Sequence, residues 1–181
     1  MSEQTSPSAA ASSTGAGPVL VVVGNPQTAS RTATAARLVG DHLAAFNGAA
    51  VELVELAEVG SALMAWGDPA AEELKERVLG ASALVVASPT YKAAYTGLTK
   101  LFIDRFDKDE LAAKPTVAFM TGGSPAHTLA VDVHLTPVLV EIGASCPARG
   151  LYLYGPQIDD PAPAIEAWWA LAQGPLGKAL A

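Results

Sequence analysis

Apolar residues fall in short blocks set between longer, alanine-rich amphipathic stretches. Five blocks read as strands: Val19–Val23, Val51–Leu56, Ala83–Ala87, Thr116–Met120 and Gly150–Leu153. The first, third and fourth are continuously apolar, the pattern of parallel strands covered on both faces. The second alternates, with Glu52 and Glu55 among Val51, Leu53 and Leu56, which places it at a sheet edge. Between the strands, the spacing predicts helices over Arg31–Phe46, Pro69–Leu79, Tyr95–Phe106 and Thr128–Ile142, with Ala164–Ala172 closing the chain. Strands alternating with helices give an α/β fold with a parallel sheet.

Right-handed crossovers cover both faces of such a sheet only if the winding reverses, and the reversal leaves a crevice at the carboxyl ends of the strands. For five strands the expected order is 2-1-3-4-5, the flavodoxin-like arrangement, in which the loops after strands 1, 3 and 4 meet. Function is expected in those loops.

Composition narrows the field. The 181 residues suit one domain, read as 19–181 behind a disordered tail, 1–18, of mainly Ser, Ala, Thr, Gly and Pro. Eleven basic against eighteen acidic side chains leave a net charge of −7, which argues against nucleic acid or an anionic membrane as partner. The single Cys146 excludes an intrachain disulfide or a cysteine-cluster metal site. No basic leader precedes an apolar core at the start of the chain, and no apolar run reaches the roughly 20 residues of a membrane span, so a cytoplasmic setting is expected.

After strand 1 comes Gly24-Asn25-Pro26-Gln27-Thr28-Ala29-Ser30-Arg31-Thr32. Gly24 is read as allowing a sharp turn. The hydroxyls around a helix N-terminus, with Arg31 beside them, form an anion site, or alternatively Ser30 is an ordinary N-cap and Arg31 is solvated. Neither a P-loop nor a G-x-G-x-x-G fingerprint is present. After strand 3, Ser88-Pro89-Thr90-Tyr91-Lys92-Ala93-Ala94-Tyr95 offers amides and two rings to a planar ligand, although such tyrosines are more often packing residues. After strand 4, the adjacent glycines of Thr121-Gly122-Gly123-Ser124 allow close backbone approach.

These blocks resemble the NADPH-dependent FMN reductase family, in particular the flavin reductases of two-component sulfonate monooxygenases. The similarity lies in Ser88 to Lys100, in Thr121 to His127 with Leu129-Ala130-Val131-Asp132, in Pro137-Val138-Leu139, and in the loop Gly24 to Thr32. It implies FMN and NADPH (or NADH) as cofactors. Asn25, Ser30, Arg31 and Thr32 would hold the flavin phosphate. Pro89, Thr90, Tyr91 and Lys92 would lie along the ribityl chain and ring edge, and Thr121, Gly122, Gly123 and Ser124 would meet the pyrimidine side. Two departures stand out. Many members carry Gly-Ser-x-Arg where this chain has Gly24-Asn25-Pro26-Gln27, leaving Arg31 as the cation. Relatives place Tyr or His after Val-Asp, in a one-residue π-type insertion at a subunit interface, where this chain has Val133 followed by His134.

Hydride transfer from nicotinamide to flavin needs no protein nucleophile, so no catalytic acid, base or metal is assigned. The resemblance implies delivery of reduced FMN to a partner monooxygenase. The rivals are a quinone or azo reductase with tightly held FMN, and a non-enzymatic flavodoxin-type electron carrier. The bulk of the helix over Tyr95–Phe106 exceeds one sheet-facing stripe, which predicts that its second face and the helix from Thr128 form a homodimer, or, doubled, a homotetramer. Trp168 and Trp169 are expected to pack the last helix on the sheet. His127 and His134 are read as core or interface residues. The connection Val59 to Asp68, with Trp66, would cover the crevice or meet a neighbouring subunit, and Asp104, Arg105, Asp107 and Lys108 read as a solvated helix end.

Overall fold

The computed structural model describes residues 17–180, so the stretch read as a tail lies outside the described residues up to position 16. Pro18 already joins the fold, its carbonyl accepting from the Ser82 N–H at 2.9 Å. The strands are β1 (Val19–Val23), β2 (Val51–Glu55), β3 (Ala83–Pro89), β4 (Thr116–Gly122) and β5 (Leu151–Tyr154). They form one parallel sheet in the order β2-β1-β3-β4-β5, with β2 at an edge as its alternation predicts.

Period-two alternation divides the core between the two faces. Leu20, Val22, Leu84, Val86, Ala118 and Met120 point to one side. There they meet Leu74 and Val78 of α3 (Pro69–Gly80), Phe102 and Ile103 of α4 (Gly97–Ile103) and Leu139 of α5 (Thr136–Glu141). Val19, Val21, Val23, Val85 and Phe119 point to the other, against Ala36, Val39 and Leu43 of α1 (Arg31–Asn47) and Ile165, Ala172 and Leu176 of α7 (Ala162–Leu180). Two one-turn helices complete the set, α2 (Gly60–Leu63) and α6 (Pro156–Asp159). No described helix is long and apolar enough to cross a membrane.

Three helices depart from their sequence patterns. The one expected over Tyr95–Phe106 shrinks to α4, because Tyr91 and Ala94 exchange N–H···O bonds of 2.8 and 3.2 Å in a tight turn and Thr96 caps the Thr99 N–H. Thr128–Ile142 is not one helix. A 3₁₀ turn at Pro125–His127 and a π-helical turn at Val131–Leu135, closed by the Thr136 N–H on the Val131 carbonyl, precede α5. The wide turn thus forms with Val133 in place of the aromatic residue that the resemblance leads one to expect, and it ends two residues before Pro137, which has no N–H for the carbonyl four residues back. The last helix runs past Gly174-Pro175 to Leu180, since the buried stripe Ile165, Ala172 and Leu176 continues on the sheet-facing side.

Arg105 is buried, not solvated. It reaches Glu72 Oε1 at 2.5 Å and the Ala65 carbonyl at 3.1 Å, and its guanidinium lies 4.5 Å from the centre of the Trp66 ring. The β2–α3 connection is thereby pinned to the end of α4. Trp168 and Trp169 pack on the core as expected. Trp168 Nε1 donates to the Arg149 carbonyl at 2.9 Å, and Trp169 stacks on His42. His127 and His134 are exposed and take no part in the core.

Candidate functional site

At the carboxyl end of the sheet, the loops after β1, β3 and β4 enclose a cavity of about 450 Å³. Its wall includes ten of the twelve residues the sequence nominates: Asn25, Ser30, Arg31, Thr32, Pro89, Thr90, Tyr91, Thr121, Gly122 and Gly123. Gln27, Thr28, Ala29 and Ile158 complete it. Lys92 stands outside this wall, on the tip of the Tyr91–Ala94 turn, with φ of 52° and Ala93 at 67°. Two consecutive non-glycine residues in the left-handed region are strain held by the surrounding hydrogen bonds. Ser124 also stands outside, its Oγ accepting from the Ala126 N–H at 3.2 Å.

The three loops are welded by hydroxyl contacts. Thr32 Oγ1 and Thr121 Oγ1 lie 2.8 Å apart, buried, joining the first turn of α1 to β4. Thr96 Oγ1 donates to the Gly24 carbonyl at 2.6 Å, joining the loop after β3 to the loop after β1, and the Thr96 N–H donates to Ser88 Oγ at 3.0 Å within its own loop. The Thr90 N–H donates to the Thr121 carbonyl at 2.6 Å. Gly24 is needed for close approach rather than for a special turn, since a Cβ there would lie 1.9 Å from Thr99 Oγ1.

The first loop is shaped for an anion. Asn25 Oδ1 accepts from the Gln27 N–H at 2.9 Å, turning the chain so that α1 begins facing the cavity. Ser30 is the N-cap, accepting from the Ala33 N–H at 3.2 Å, and its own hydroxyl proton stays free to donate. The 17-residue α1 adds the positive end of its dipole. Glu55, at the end of β2, tethers the loop from behind: its Oε2 accepts from the Ala29 N–H at 3.0 Å, where Ala29 has φ of 50°. Its Oε1 is buried and has no partner among the described residues. Arg31 Nη1 lies 2.6 Å from Asp159 Oδ1.

Tyr152 completes the third loop. Its hydroxyl donates to the Ser124 carbonyl at 3.3 Å, accepts from Thr90 Oγ1 at 3.5 Å and fills the space beside Gly122. Gly123 has open space where a side chain would stand. Sequence reasoning missed Tyr152, Glu55, Ile158 and Asp159. The last two follow β5, outside the three loops the strand order highlights, and only the paired acids Asp159-Asp160 before Pro161 marked that turn.

A second apolar cavity of similar volume lies along β5 and α7, lined by Leu151, Trp168, Leu171 and Pro175 among others. Tyr152 and Gln157 also lie on its wall, but most of the lining is apolar, and it has neither the helix N-terminus nor the paired glycines of the first.

A family model described as NADPH-dependent FMN reductase matches residues 18–156. The chain is 32% identical over 147 residues to an FMN reductase (NADPH) of Escherichia coli strain K12, covering 78% of this chain and 75% of that protein. It is 35% identical over 140 residues to the NADH-dependent FMN reductase SfnF of Pseudomonas putida, covering 74% and 75%. Among solved structures, the apo form of the NADH:FMN oxidoreductase EMOB superposes with a TM-score of 0.69 at 28% identity, covering 83% of this chain and 87% of that one.

Proposed function

The chain belongs to the NADPH-dependent FMN reductase family and is an NAD(P)H:FMN oxidoreductase, and from that premise we propose that the crevice at the carboxyl end of the sheet binds FMN and releases it, reduced, to a partner monooxygenase. The observation that carries this is the cavity itself, where the N-terminus of α1, two hydroxyl-bearing loops and the exposed Tyr91 ring converge. Its volume lies within the roughly 300–1,000 Å³ usual for ligands of this size.

The residues fit the ligand group by group. Ser30 and Thr32 at the start of α1, with the Arg31 guanidinium, supply donors and positive charge for a phosphate. Thr90 and Tyr91 present a hydroxyl and a ring face along the middle of the cavity. Gly122 and Gly123 form the far wall, where the open space at Gly123 lets a ring edge approach the backbone closely. Bound FMN supplies the redox chemistry by accepting a hydride from NAD(P)H. The protein's part would be to hold the flavin among Tyr91, Gly122 and Gly123 where NAD(P)H can reach it.

The apolar residues exposed on α4 (Leu101), just before the π turn (Leu129), on that turn (Val133) and on α5 (Val140) support self-association through that side of the molecule. A sedimentation profile that stays monomeric at micromolar concentration would remove this part of the reading.

The enzymatic reading is tested by following NADPH and NADH oxidation with FMN, FAD and riboflavin, with flavin content recorded before and after dialysis. Turnover with FMN and loss of colour on dialysis are expected. A protein that stays yellow points instead to a tightly bound prosthetic group, and no turnover with any flavin overturns the proposal.

A further inference from the structure

The cation at the anion site is already engaged. Arg31 opens α1, and its Nη1 meets Asp159 Oδ1 at 2.6 Å across 128 positions of sequence. Asp159 ends α6, whose Ile158 lines the same cavity. Both side chains are about two-thirds exposed, at 69% and 66%, so the pair is held against water rather than locked in the interior. A surface pair of this kind contributes little to stability and exchanges readily.

A phosphate arriving at the start of α1 would need the same guanidinium and would stand close to the carboxylate now holding it. Either Asp159 gives up Arg31 and remains beside the phosphate as a like charge, or Arg31 is shared and its attraction is divided. Asp159 does not depend on Arg31 for its position. The Gly155 N–H bonds the Gly122 carbonyl at 3.3 Å, the Ile158 N–H bonds the Gly155 carbonyl at 3.1 Å, and the Asp160 N–H bonds the Pro156 carbonyl at 3.2 Å. The backbone of α6 therefore fixes the Asp159 main chain beside Arg31 without help from the ion pair.

We propose that Asp159 is a built-in competitor for Arg31 that weakens the grip on the flavin phosphate, so that FMN exchanges as a substrate instead of remaining bound. This rests on the FMN reading above and adds the residue that sets how firmly the phosphate is held. It also gives the acidic turn after β5 a role that packing does not explain, since both carboxylates of Asp159-Asp160 are exposed.

The test compares FMN with riboflavin, which lacks the phosphate, by quenching of flavin fluorescence on titration with wild type, D159N, R31Q and the double variant. D159N should tighten FMN about three- to fivefold and leave riboflavin affinity essentially unchanged. The gain should shrink as salt rises and vanish in the R31Q background. An unchanged or weaker FMN affinity in D159N, an equal gain for riboflavin, or a gain that persists without Arg31 each overturns the competition. D159A serves as the second variant should D159N fail to retain the wild-type circular dichroism spectrum. If the wild type binds neither FMN nor riboflavin, the FMN reading itself fails. If it binds both and D159N changes nothing, only the role of Asp159 fails.

Discussion

The Tyr152 hydroxyl occupies the space that a side chain at Gly122 would need: a Cβ on Gly122 would lie 2.0 Å from that oxygen and 3.0 Å from the ring carbon bearing it. Gly122 is thus required by a neighbour in β5 as well as by any ligand in the crevice. Gly122→Ala should destabilise the protein by about 1–3 kcal/mol, the usual range for overpacking. Removing the hydroxyl should relieve most of the clash, so the double variant G122A/Y152F is expected to be more stable than G122A alone. Urea unfolding of the four proteins in the cycle gives the coupling directly, and additive effects would refute it.

Thr96 serves two loops with one hydroxyl, capping the Thr99 N–H at 3.1 Å and donating to the buried Gly24 carbonyl at 2.6 Å. Thr96→Val keeps the shape but removes the cap and leaves the carbonyl unpaired. A loss of about 2 kcal/mol is expected, while Thr96→Ser should cost well under half of that. Thermal unfolding of both variants tests the difference, which a purely steric role for Thr96 would not produce.

The buried Arg105 is anchored by the half-exposed Glu72, the Ala65 carbonyl and the largely exposed Trp66 ring. Arg105→Met retains the aliphatic stem but loses the charge-assisted bonds and the guanidinium over the Trp66 ring, which predicts destabilisation by about 1–3 kcal/mol. Glu72→Gln keeps a hydrogen-bond acceptor at a half-exposed position and should cost about 1 kcal/mol or less. The order of the two urea midpoints is the measurement, and equal midpoints would contradict the buried role of the guanidinium.

Burial pushes the Cys146 thiol from an ordinary 9.0 up to about 11. At pH 8 the thiolate population should be about a hundredfold lower than in the unfolded chain, so iodoacetamide is expected to modify the native protein at least that much more slowly than the urea-unfolded one. The sign for stability follows. Between 9.0 and about 11 the unfolded chain loses this proton first, so stability is complete below pH 9 and falls as pH rises through about 11. Lys114, lowered by burial from 10.5, acts in the opposite direction over part of that range. Urea midpoints of wild type and C146A, taken at pH 8 and pH 10.5, isolate the thiol because the lysine is common to both. Equal shifts in the two proteins would contradict the assignment.

The strand order was legible because continuous apolar runs such as Val19–Val23 leave little choice but a doubly covered parallel sheet, and the glutamates of β2 mark its edge. The crevice followed from that order. Helix limits were less legible where tertiary contacts override local pattern. Tyr95 looks helical until the Tyr91–Ala94 turn and the Thr96 cap start the helix later, and Gly174-Pro175 looks like a stop until Leu176 is seen buried on the sheet. The site was readable where its groups sit on loops named by the fold. Tyr152 escaped because a tyrosine inside an apolar strand gives no sign that its hydroxyl reaches a loop two elements away. Asp159 escaped because its partner lies 128 residues back.

The Trp168 indole, described above as packing, also bears on how large the sheet can become. β5 is four residues long, and the carbonyl of Arg149 just ahead of it, which an incoming strand would need as an acceptor, is taken by Trp168 Nε1. At the opposite margin, β2 carries the exposed charge of Glu52, which Arg77 pairs at 3.0 Å. Both margins are thus closed to strand addition, the usual route by which half-apolar chains aggregate. The exposed apolar positions that remain lie on or beside helices, among them Leu101 and Val140.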